Sequence, residues 1–189
     1  LIVDDERLAR KELMRLLEAH GTIEVVGEAT NADEAEKLTT ELKPDLLFLD
    51  INMPGRDGFE LLEALDPAPH VIFITAYDEH AVKAFEVNAL DYLLKPIDPE
   101  RLSAALARLA ALPKPGDAER GLLTTTDRIF IKDGEKCWFV AMKDVRLLES
   151  EGNYVRVRFG ENKPLVLRSL NSLEKKLDPH VFFRANRKQ

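Results

Sequence analysis

Four short apolar segments in the first half of the chain each end at a polar side chain. They are Leu1–Val3, Leu46–Leu49, Val71–Ile74 and Tyr92–Leu94, and longer amphipathic stretches separate them. Fully apolar runs of this length are typical of strands buried on both faces of a parallel sheet. Parallel strands need crossover connections that are usually helical, so this pattern constrains the fold more than any other feature and predicts an α/β domain.

The segments between these strands carry the spacing and the boundary residues of helices. Residues 24–29 predict one further, less apolar strand near an edge of the sheet. Asn31 is expected to cap the second helix, which Pro44 ends. Apolar residues at helical spacing are expected to face the core on the first and last helices: Leu8, Leu13, Leu16 and Leu17, and Leu102, Ala105, Leu106 and Leu109. The predicted helices are Arg7–Ala19, Ala32–Leu42, Phe59–Leu65, Asp78–Val87 and Pro99–Leu112. The sequence therefore predicts a doubly wound α/β domain with a five-stranded parallel sheet.

The polar residues that follow the strands are expected to meet at one edge of this sheet, where α/β proteins bind ligands. Asp4 and Asp5 follow the first strand, Asp50 the third, Thr75 the fourth and Lys95 the last. Clustered carboxylates suit Mg²⁺, which takes oxygen ligands and often binds beside phosphates. An aspartate at such a position can be phosphorylated, while an ammonium group neutralises phosphoryl charge. The pattern predicts a site for a metal ion and a phosphoryl group.

In this combination and order, residues 1–112 resemble the receiver domain of a two-component response regulator. The resemblance implies a flavodoxin-like fold in which a histidine kinase phosphorylates Asp50. It further implies that Thr75 and Tyr92 form a switch, that Lys95 pairs with the phosphoryl group, and that the Lys95–Pro96 peptide bond is cis. The residues that carry it are Asp4-Asp5, Asp50 with Ile51–Gly55, Thr75-Ala76, Tyr92 and Lys95-Pro96.

The resemblance also implies a Mg²⁺ cofactor. Its ligands would be the carboxylates of Asp5 and Asp50 and the backbone carbonyl of Asn52, with Asp4 acting through water. A phosphatase of the haloacid dehalogenase type also uses an aspartate nucleophile and Mg²⁺. Such an enzyme normally has a second aspartate two residues after the nucleophile, where this chain has Asn52, which cannot exchange protons near neutral pH. We therefore expect a phosphoacceptor that is not an enzyme and at most loses its own phosphoryl group slowly.

Charge and composition divide the chain into two parts. Residues 1–112 carry 23 acidic and 11 basic side chains, whereas residues 113–189 carry 11 acidic and 16 basic ones. A basic half suggests an anionic partner such as nucleic acid. Residues 113–127 are predicted to be a linker because of their Pro, Gly and charge content, and residues 128–189 to be a second domain. Its predicted elements are strands Arg128–Lys132, Cys137–Ala141, Val145–Glu149, Tyr154–Phe159 and Pro164–Leu167 and a helix, Leu170–Leu177.

Three segments of the second domain carry a resemblance to a known family: Leu147–Val157, Arg168–Leu177 and Phe183–Arg187. They resemble a mainly-β LytTR DNA-binding domain, and receiver plus LytTR is the LytR/AlgR class of response regulators. It implies promoter DNA as a partner, read by Asn153, Tyr154 and Arg187, and a homodimer after phosphorylation. Further basic residues are candidates for phosphate contacts: Arg156, Arg158, Arg168, Lys175, Lys176, Arg184 and Lys188.

The remaining expectations concern location, chain length and an alternative output. One cysteine, Cys137, and no apolar stretch of membrane-spanning length predict a cytoplasmic protein without a membrane partner. Because the chain starts at Leu1 and family members continue for several strands, we expect further residues before it and after Gln189. The alternative to a DNA-binding regulator is a phosphorylation-dependent module whose basic half docks a protein.

Overall fold

The computed structural model describes residues 1–76, 90–111, 122–134 and 136–188. These residues belong to two compact units, one built on the first five strands and the other containing the strands from Arg128 onward. The predicted helix Asp78–Val87 and residues 113–121 of the predicted linker lie outside the described residues.

The first unit contains a parallel sheet, which confirms the predicted fold class. In the described residues it has five strands in the order β2-β1-β3-β4-β5, each parallel to its neighbours. β3 and β4 are buried along their whole length, as expected for central strands. β2 lies at the edge and is shorter than the predicted residues 24–29. The strands are β1 (Ile2–Val3), β2 (Glu28–Ala29), β3 (Leu46–Leu49), β4 (His70–Thr75) and β5 (Asp91–Leu94).

Four helices of this unit are described, and side chains cap three of them. They are α1 (Arg7–Leu17), α2 (Ala32–Leu42), α3 (Gly58–Ala64) and α4 (Pro99–Ala110). The Asn31 side chain accepts a hydrogen bond from the Glu34 amide, as predicted for the start of α2. The side chain of Asp57 begins α3 and that of Asp98 begins α4 in the same way.

The expected leucine stripe on α1 is wrong at one position. Leu13 and Leu17 are buried, but Leu8 is 74% exposed. Leu8 precedes Leu13 by five residues, which places it about 140° around the helix, away from the core. The inner face of α4 agrees with its pattern, because Leu102, Ala105 and Leu106 are all buried in the same core as Leu13.

The second unit is mainly β, as the sequence predicts. Its described strands form a hairpin of β6 and β7 and a separate antiparallel sheet in the order β10-β9-β8. The short helix α5 (Leu170–Glu174) ends earlier than the predicted Leu177. The strands are β6 (Arg128–Asp133), β7 (Lys136–Ala141), β8 (Val145–Glu151), β9 (Tyr154–Phe159) and β10 (Leu165–Val166).

The folded part of the second unit begins before β6. Leu123, which falls in the predicted linker, is 2% exposed and forms a bridge with Leu177. Asp127 is also buried, and its carboxylate accepts hydrogen bonds from the backbone amide and the hydroxyl of Thr124. This unit therefore includes residues 123–127. Among the described helices of the whole chain, none has the length and apolar character that crossing a membrane would require.

Candidate functional site

Three carboxylates lie together at the carboxyl edge of the parallel sheet. Asp4 follows β1 and Asp50 follows β3, and these two strands are hydrogen-bonded neighbours. Oxygen atoms of Asp4, Asp5 and Asp50 lie within 4.8 Å of one another. Asp4 and Asp50 are each 4% exposed, whereas Asp5 is exposed. Hard oxygen donors grouped at this spacing, partly open to solvent, fit a Mg²⁺ ion that keeps some of its waters.

Lys95 forms salt bridges with two carboxylates of this cluster. It follows β5, and its Nζ lies 2.6 Å from Oδ2 of Asp50 and 2.8 Å from Oδ2 of Asp4. Its backbone amide donates to the carbonyl of Thr75, which ties the end of β5 to the end of β4. The Lys95–Pro96 peptide bond is cis, as the resemblance implied. The structure thus brings together residues that lie 45 positions apart in sequence.

Burial and hydrogen bonding have opposing effects on the pKa values of Asp4 and Lys95. Burial raises the pKa of Asp4 above its usual value, although its hydrogen bonds to Lys95 and to the Glu6 amide act against this shift. Burial would lower the pKa of the Lys95 ammonium, but its hydrogen bonds to Asp4, Asp50 and Glu6 outweigh that effect and raise the pKa. Lys95 therefore stays protonated at neutral pH and provides a fixed positive charge.

Backbone groups around Asp50 are packed closely. The Asn52 amide donates to Oδ1 of Asp50 at 3.0 Å, which orients the carboxylate and places Asn52 beside the site. The amide of Gly58 donates to the carbonyl of Ile51 at 2.9 Å. A Cβ atom at Gly58 would lie 2.5 Å from the carbonyl oxygen of Asp50, so only glycine fits there without a shift.

Two residues that support the site were missed by the sequence analysis. Glu6 lies 3.1 Å from Nζ of Lys95 and forms a third, more exposed carboxylate partner. Arg10 donates to the backbone carbonyl of Asp4 at 2.8 Å and pairs with Glu28 at 3.0 Å, so it fixes the turn that presents the two aspartates. Glu6 directly follows the acidic pair and could have been found from sequence. Arg10 could not, because it lies on α1 and its acidic partner, Glu28, lies on β2, 18 positions away in sequence.

Thr75 and Tyr92 lie on neighbouring strands. Thr75 ends β4 and is fully buried. Tyr92 is paired with Phe73 across β4 and β5, and the two rings stack with centroids 5.1 Å apart. Because Phe73 and Thr75 are two residues apart on one strand, Thr75 and the Tyr92 ring share a face of the sheet.

In the second unit, Asn153 and Tyr154 lie at the end of the β8–β9 hairpin. Gly152 and Asn153 form its two-residue turn, and Gly152 has a φ of 65°, a conformation that favours glycine. Asn153 is exposed, and Tyr154 is 44% exposed. Polar and aromatic groups at the tip of a hairpin can reach a partner without disturbing the sheet.

Arg187 lies in a segment beside the same hairpin. The Ser150 amide of β8 donates to the carbonyl of Lys188 at 2.7 Å, so this segment docks on the free edge of β8 near the turn. The guanidinium of Arg187 is exposed and has no carboxylate within 4.0 Å among residues 1–76, 90–111, 122–134 and 136–188. The structure therefore brings Asn153, Tyr154 and Arg187 to one end of the sheet.

Several of the expected phosphate contacts are already engaged within the protein. Arg156 pairs with Glu151 and also donates to the carbonyl of Lys163, and Arg158 pairs with Glu149. The hydrogen bonds from Arg156 lower the pKa of Glu151 below its usual value. An arginine with an internal partner is less available to a phosphate than one without, so the expectation is weakened for Arg156 and Arg158.

Known proteins resemble the first unit in sequence and fold. Residues 1–107 match the family model of the response regulator receiver domain. The crystal structure of the response regulatory domain of protein mrkE from Klebsiella pneumoniae superimposes with a TM-score of 0.52 and 41% identity, covering 58% of this chain and 93% of that one. The sheet order, the acidic cluster and this match define the first unit as a receiver domain.

The second unit also matches a known domain, and some relatives match nearly the whole chain. Residues 135–189 match the LytTr DNA-binding domain. Similar proteins include the transcriptional regulatory protein BtsR of Escherichia coli, 43% identical over 91% of this chain and 75% of that protein. The sensory transduction protein LytT of Enterococcus faecalis is 37% identical over 99% of this chain and 79% of that protein. The chain belongs to the response regulators that join a receiver to a LytTR DNA-binding domain, and it is a DNA-binding protein of two-component systems.

Proposed function

We propose that a histidine kinase activates this protein by transferring a phosphoryl group to Asp50. The observation that carries the proposal is the buried Asp50 carboxylate, which lies 2.6 Å from Nζ of Lys95 and within a group of three acidic residues. In the transfer, a carboxylate oxygen of Asp50 attacks the phosphorus atom of a phosphohistidine. The new P–O bond forms as the P–N bond breaks, and the electron pair of that bond stays on the imidazole nitrogen.

The acidic cluster would hold Mg²⁺ through Asp5, Asp50 and the backbone carbonyl of Asn52, with Asp4 acting through water. When bound, Mg²⁺ supplies positive charge beside the phosphoryl oxygens. Lys95 supplies a second charge, because the raised pKa of its ammonium keeps it protonated. The only reaction proposed for the receiver after phosphorylation is the slow hydrolysis of its own aspartyl phosphate.

The output of phosphorylation is proposed to be DNA binding by a homodimer in the cytoplasm. The Thr75 hydroxyl would donate to the phosphoryl group, and the Tyr92 ring would follow this movement from its position on the adjacent strand. Two copies would then bind adjacent half-sites in promoter DNA. Asn153, Tyr154 and Arg187 are supported as DNA contacts by their exposure at one end of the LytTR sheet.

The phosphoacceptor is tested by replacing Asp50 with Asn. In the presence of acetyl phosphate and Mg²⁺, the wild-type protein is expected to gain the mass of one phosphoryl group, measured by intact-protein mass spectrometry, and D50N is expected to gain none. Asp45 offers a matched control, because it directly precedes β3 whereas Asp50 directly follows β3. The two aspartates therefore lie at opposite ends of the same strand. D45N should be phosphorylated normally. Phosphorylation of D50N would show that another residue is the acceptor.

The DNA output is tested by selecting binding sites from random duplexes with the full-length protein. Beryllofluoride and Mg²⁺ serve as a mimic of the phosphoryl group. We expect a sequence with two related half-sites to be enriched only in the activated state. Enrichment of a single half-site would contradict the homodimer, and equal enrichment in both states would contradict control by Asp50.

A further inference from the structure

The expected phosphate contact Arg184 differs from its basic neighbours in its hydrogen bonds. Its Nη1 donates to Oδ1 of Asn171 at 2.7 Å and to Oε2 of Glu174 at 2.6 Å, and both of these residues belong to α5. Its Nη2 donates to the backbone carbonyl of Arg187 at 2.9 Å, and its Nε donates to that of Asn186 at 3.1 Å. One guanidinium therefore joins helix α5 to the backbone of the segment that carries Arg187.

Two further hydrogen bonds involve Lys188 of this segment. The Lys188 amide donates to Oδ1 of Asn186 at 2.8 Å, a local bond within the segment. The Lys188 carbonyl accepts from the Ser150 amide on β8. Residues 183–188 are all exposed, and Phe183 is 86% exposed, so apolar burial contributes little to fixing their conformation. The four hydrogen bonds of Arg184 therefore contribute directly to the orientation of this segment.

We propose that Arg184 is a positioning residue that holds Arg187 in the orientation needed to read a base, and that Arg184 does not itself contact a DNA phosphate. The inference rests on the proposed role of Arg187 in DNA recognition. Its physical basis is the guanidinium fork, which presents five N–H donors in one rigid plane and can bond acceptors on two sides at once. With its donors directed at two side chains and two carbonyls of its own protein, Arg184 has little capacity left for a phosphate.

The decisive variant is R184K, because it retains the positive charge and removes the fork. A phosphate contact tolerates this change, since lysine also binds phosphates as a point charge. A positioning residue does not, because three donors on one nitrogen atom cannot span the four acceptors. We expect R184K to bind the selected operator about ten-fold more weakly, with little change on unrelated duplex, the loss expected for a disturbed base contact.

Two comparisons separate positioning from phosphate binding. The slope of log affinity against log salt concentration should be unchanged in R184Q, which removes the positive charge, because no phosphate contact is lost. The double variant R184K/R187A should bind no more weakly than R187A alone, since residues that act through one contact are not additive. If R184K binds the operator like wild type, or if R184Q weakens binding equally on every duplex with a shallower salt slope, the proposal is overturned.

A readout without DNA keeps the inference separate from the proposed role of Arg187. Hydrogen exchange of the Lys188 amide, followed by NMR in the full-length protein, should be faster in R184K than in wild type. R156K is the matched control, because Arg156 also bonds a carboxylate and a backbone carbonyl in the same unit but outside this segment. R156K should leave the exchange of Lys188 unchanged, and thermal unfolding should show that both variants are folded.

The outcomes then distinguish the two hypotheses. If R187A binds the operator normally, the proposed role of Arg187 in recognition fails, whatever Arg184 does. If R187A loses operator binding but R184K leaves both the exchange of Lys188 and the operator affinity unchanged, only the positioning role of Arg184 fails. Faster exchange together with a selective loss of operator binding supports both.

Discussion

Lys95 neutralises part of the negative charge that the receiver concentrates at one edge of its sheet. Its ammonium touches Asp4, Glu6 and Asp50, and the two aspartates are almost completely buried. Carboxylates whose oxygen atoms lie within 4.8 Å of one another repel strongly when water is excluded. A single side chain therefore allows two carboxylates to remain close together before any metal ion or phosphoryl group arrives.

Replacing Lys95 with Met removes the ammonium group and keeps most of the aliphatic side chain. Because the carboxylates then lose a competing cation, we expect Mg²⁺ to bind on the order of ten-fold more tightly. Isothermal titration calorimetry measures this affinity directly. K37M is the control, since Lys37 is exposed on α2 and its nearest acidic partner is Glu41, 4.0 Å away. Unchanged or weaker binding by K95M would contradict the proposed ligand set.

Arg187 permits a second prediction for a single residue. Its guanidinium is exposed and has no acidic partner among the described residues, so it is available to a guanine base. Replacement with Ala is expected to cost about 1–3 kcal/mol of binding free energy on the selected operator, and much less on unrelated duplex. Fluorescence anisotropy with both duplexes measures the difference. An equal loss on the two duplexes would make Arg187 a phosphate contact.

At the scale of elements, the loop between β3 and α3 is shaped by close backbone approach. Gly58 begins α3 directly against the Asp50 carbonyl, and Asp57 and Glu60 form a reciprocal cap at the same point. Arg56 in this loop also pairs with Asp33 and Glu36 at the start of α2. These contacts hold the loop that follows Asp50.

Replacing Gly58 with Ala tests whether this close approach matters. Helix propensity alone predicts a gain, because Ala is favoured over Gly by up to about 1 kcal/mol. The added methyl group would lie 2.5 Å from the Asp50 carbonyl oxygen and 3.1 Å from Cα of Ile51, so the backbone must shift. We expect a net loss of about 1–3 kcal/mol in the free energy of unfolding. Urea denaturation measures it, and G21A is the control because a Cβ at Gly21 meets no atom within 4 Å. A stabilised G58A would contradict the steric argument.

At the scale of the whole molecule, the two parts of the chain carry opposite net charges. The acidic excess belongs to residues 1–112 and the basic excess to residues 113–189. Such a separation places the basic excess where the LytTR domain is, and it places the proposed phosphoryl chemistry in a region that attracts cations. The net charge of −7 for the chain hides this division.

The separation predicts a salt dependence that originates in the second unit. Log affinity for the operator should fall linearly with log salt concentration, with a slope set by the number of phosphates contacted. K188Q should reduce the magnitude of the slope by about one if Lys188 contacts a phosphate. K37Q, which removes the same charge from the receiver, should leave the slope unchanged. Affinities measured across a salt series decide this, and equal effects of both variants would point to net charge rather than to a local contact.

The sequence by itself determined the sheet and the residues at its edge. Buried strands reveal themselves locally, because residues on both faces must be apolar, and the polar residue that ends each strand needs no partner to be recognised. Asp50 and Lys95 were found because each ends a buried strand. The cap at Asn31 was found from the local preference of asparagine for the start of a helix. Leu8 was misplaced because an approximate helical spacing does not fix which direction around the helix faces the core.

Only the tertiary structure decided which cations are already paired and where the chain tolerates no side chain. Arg156, Arg184 and Arg187 look alike in a basic segment, yet the first two have acidic partners and the third has none among the described residues. Gly58 likewise becomes special only because Asp50 approaches it. Ion pairs and steric fit depend on atoms brought together by folding, often from distant positions, and a linear pattern contains no distances between them.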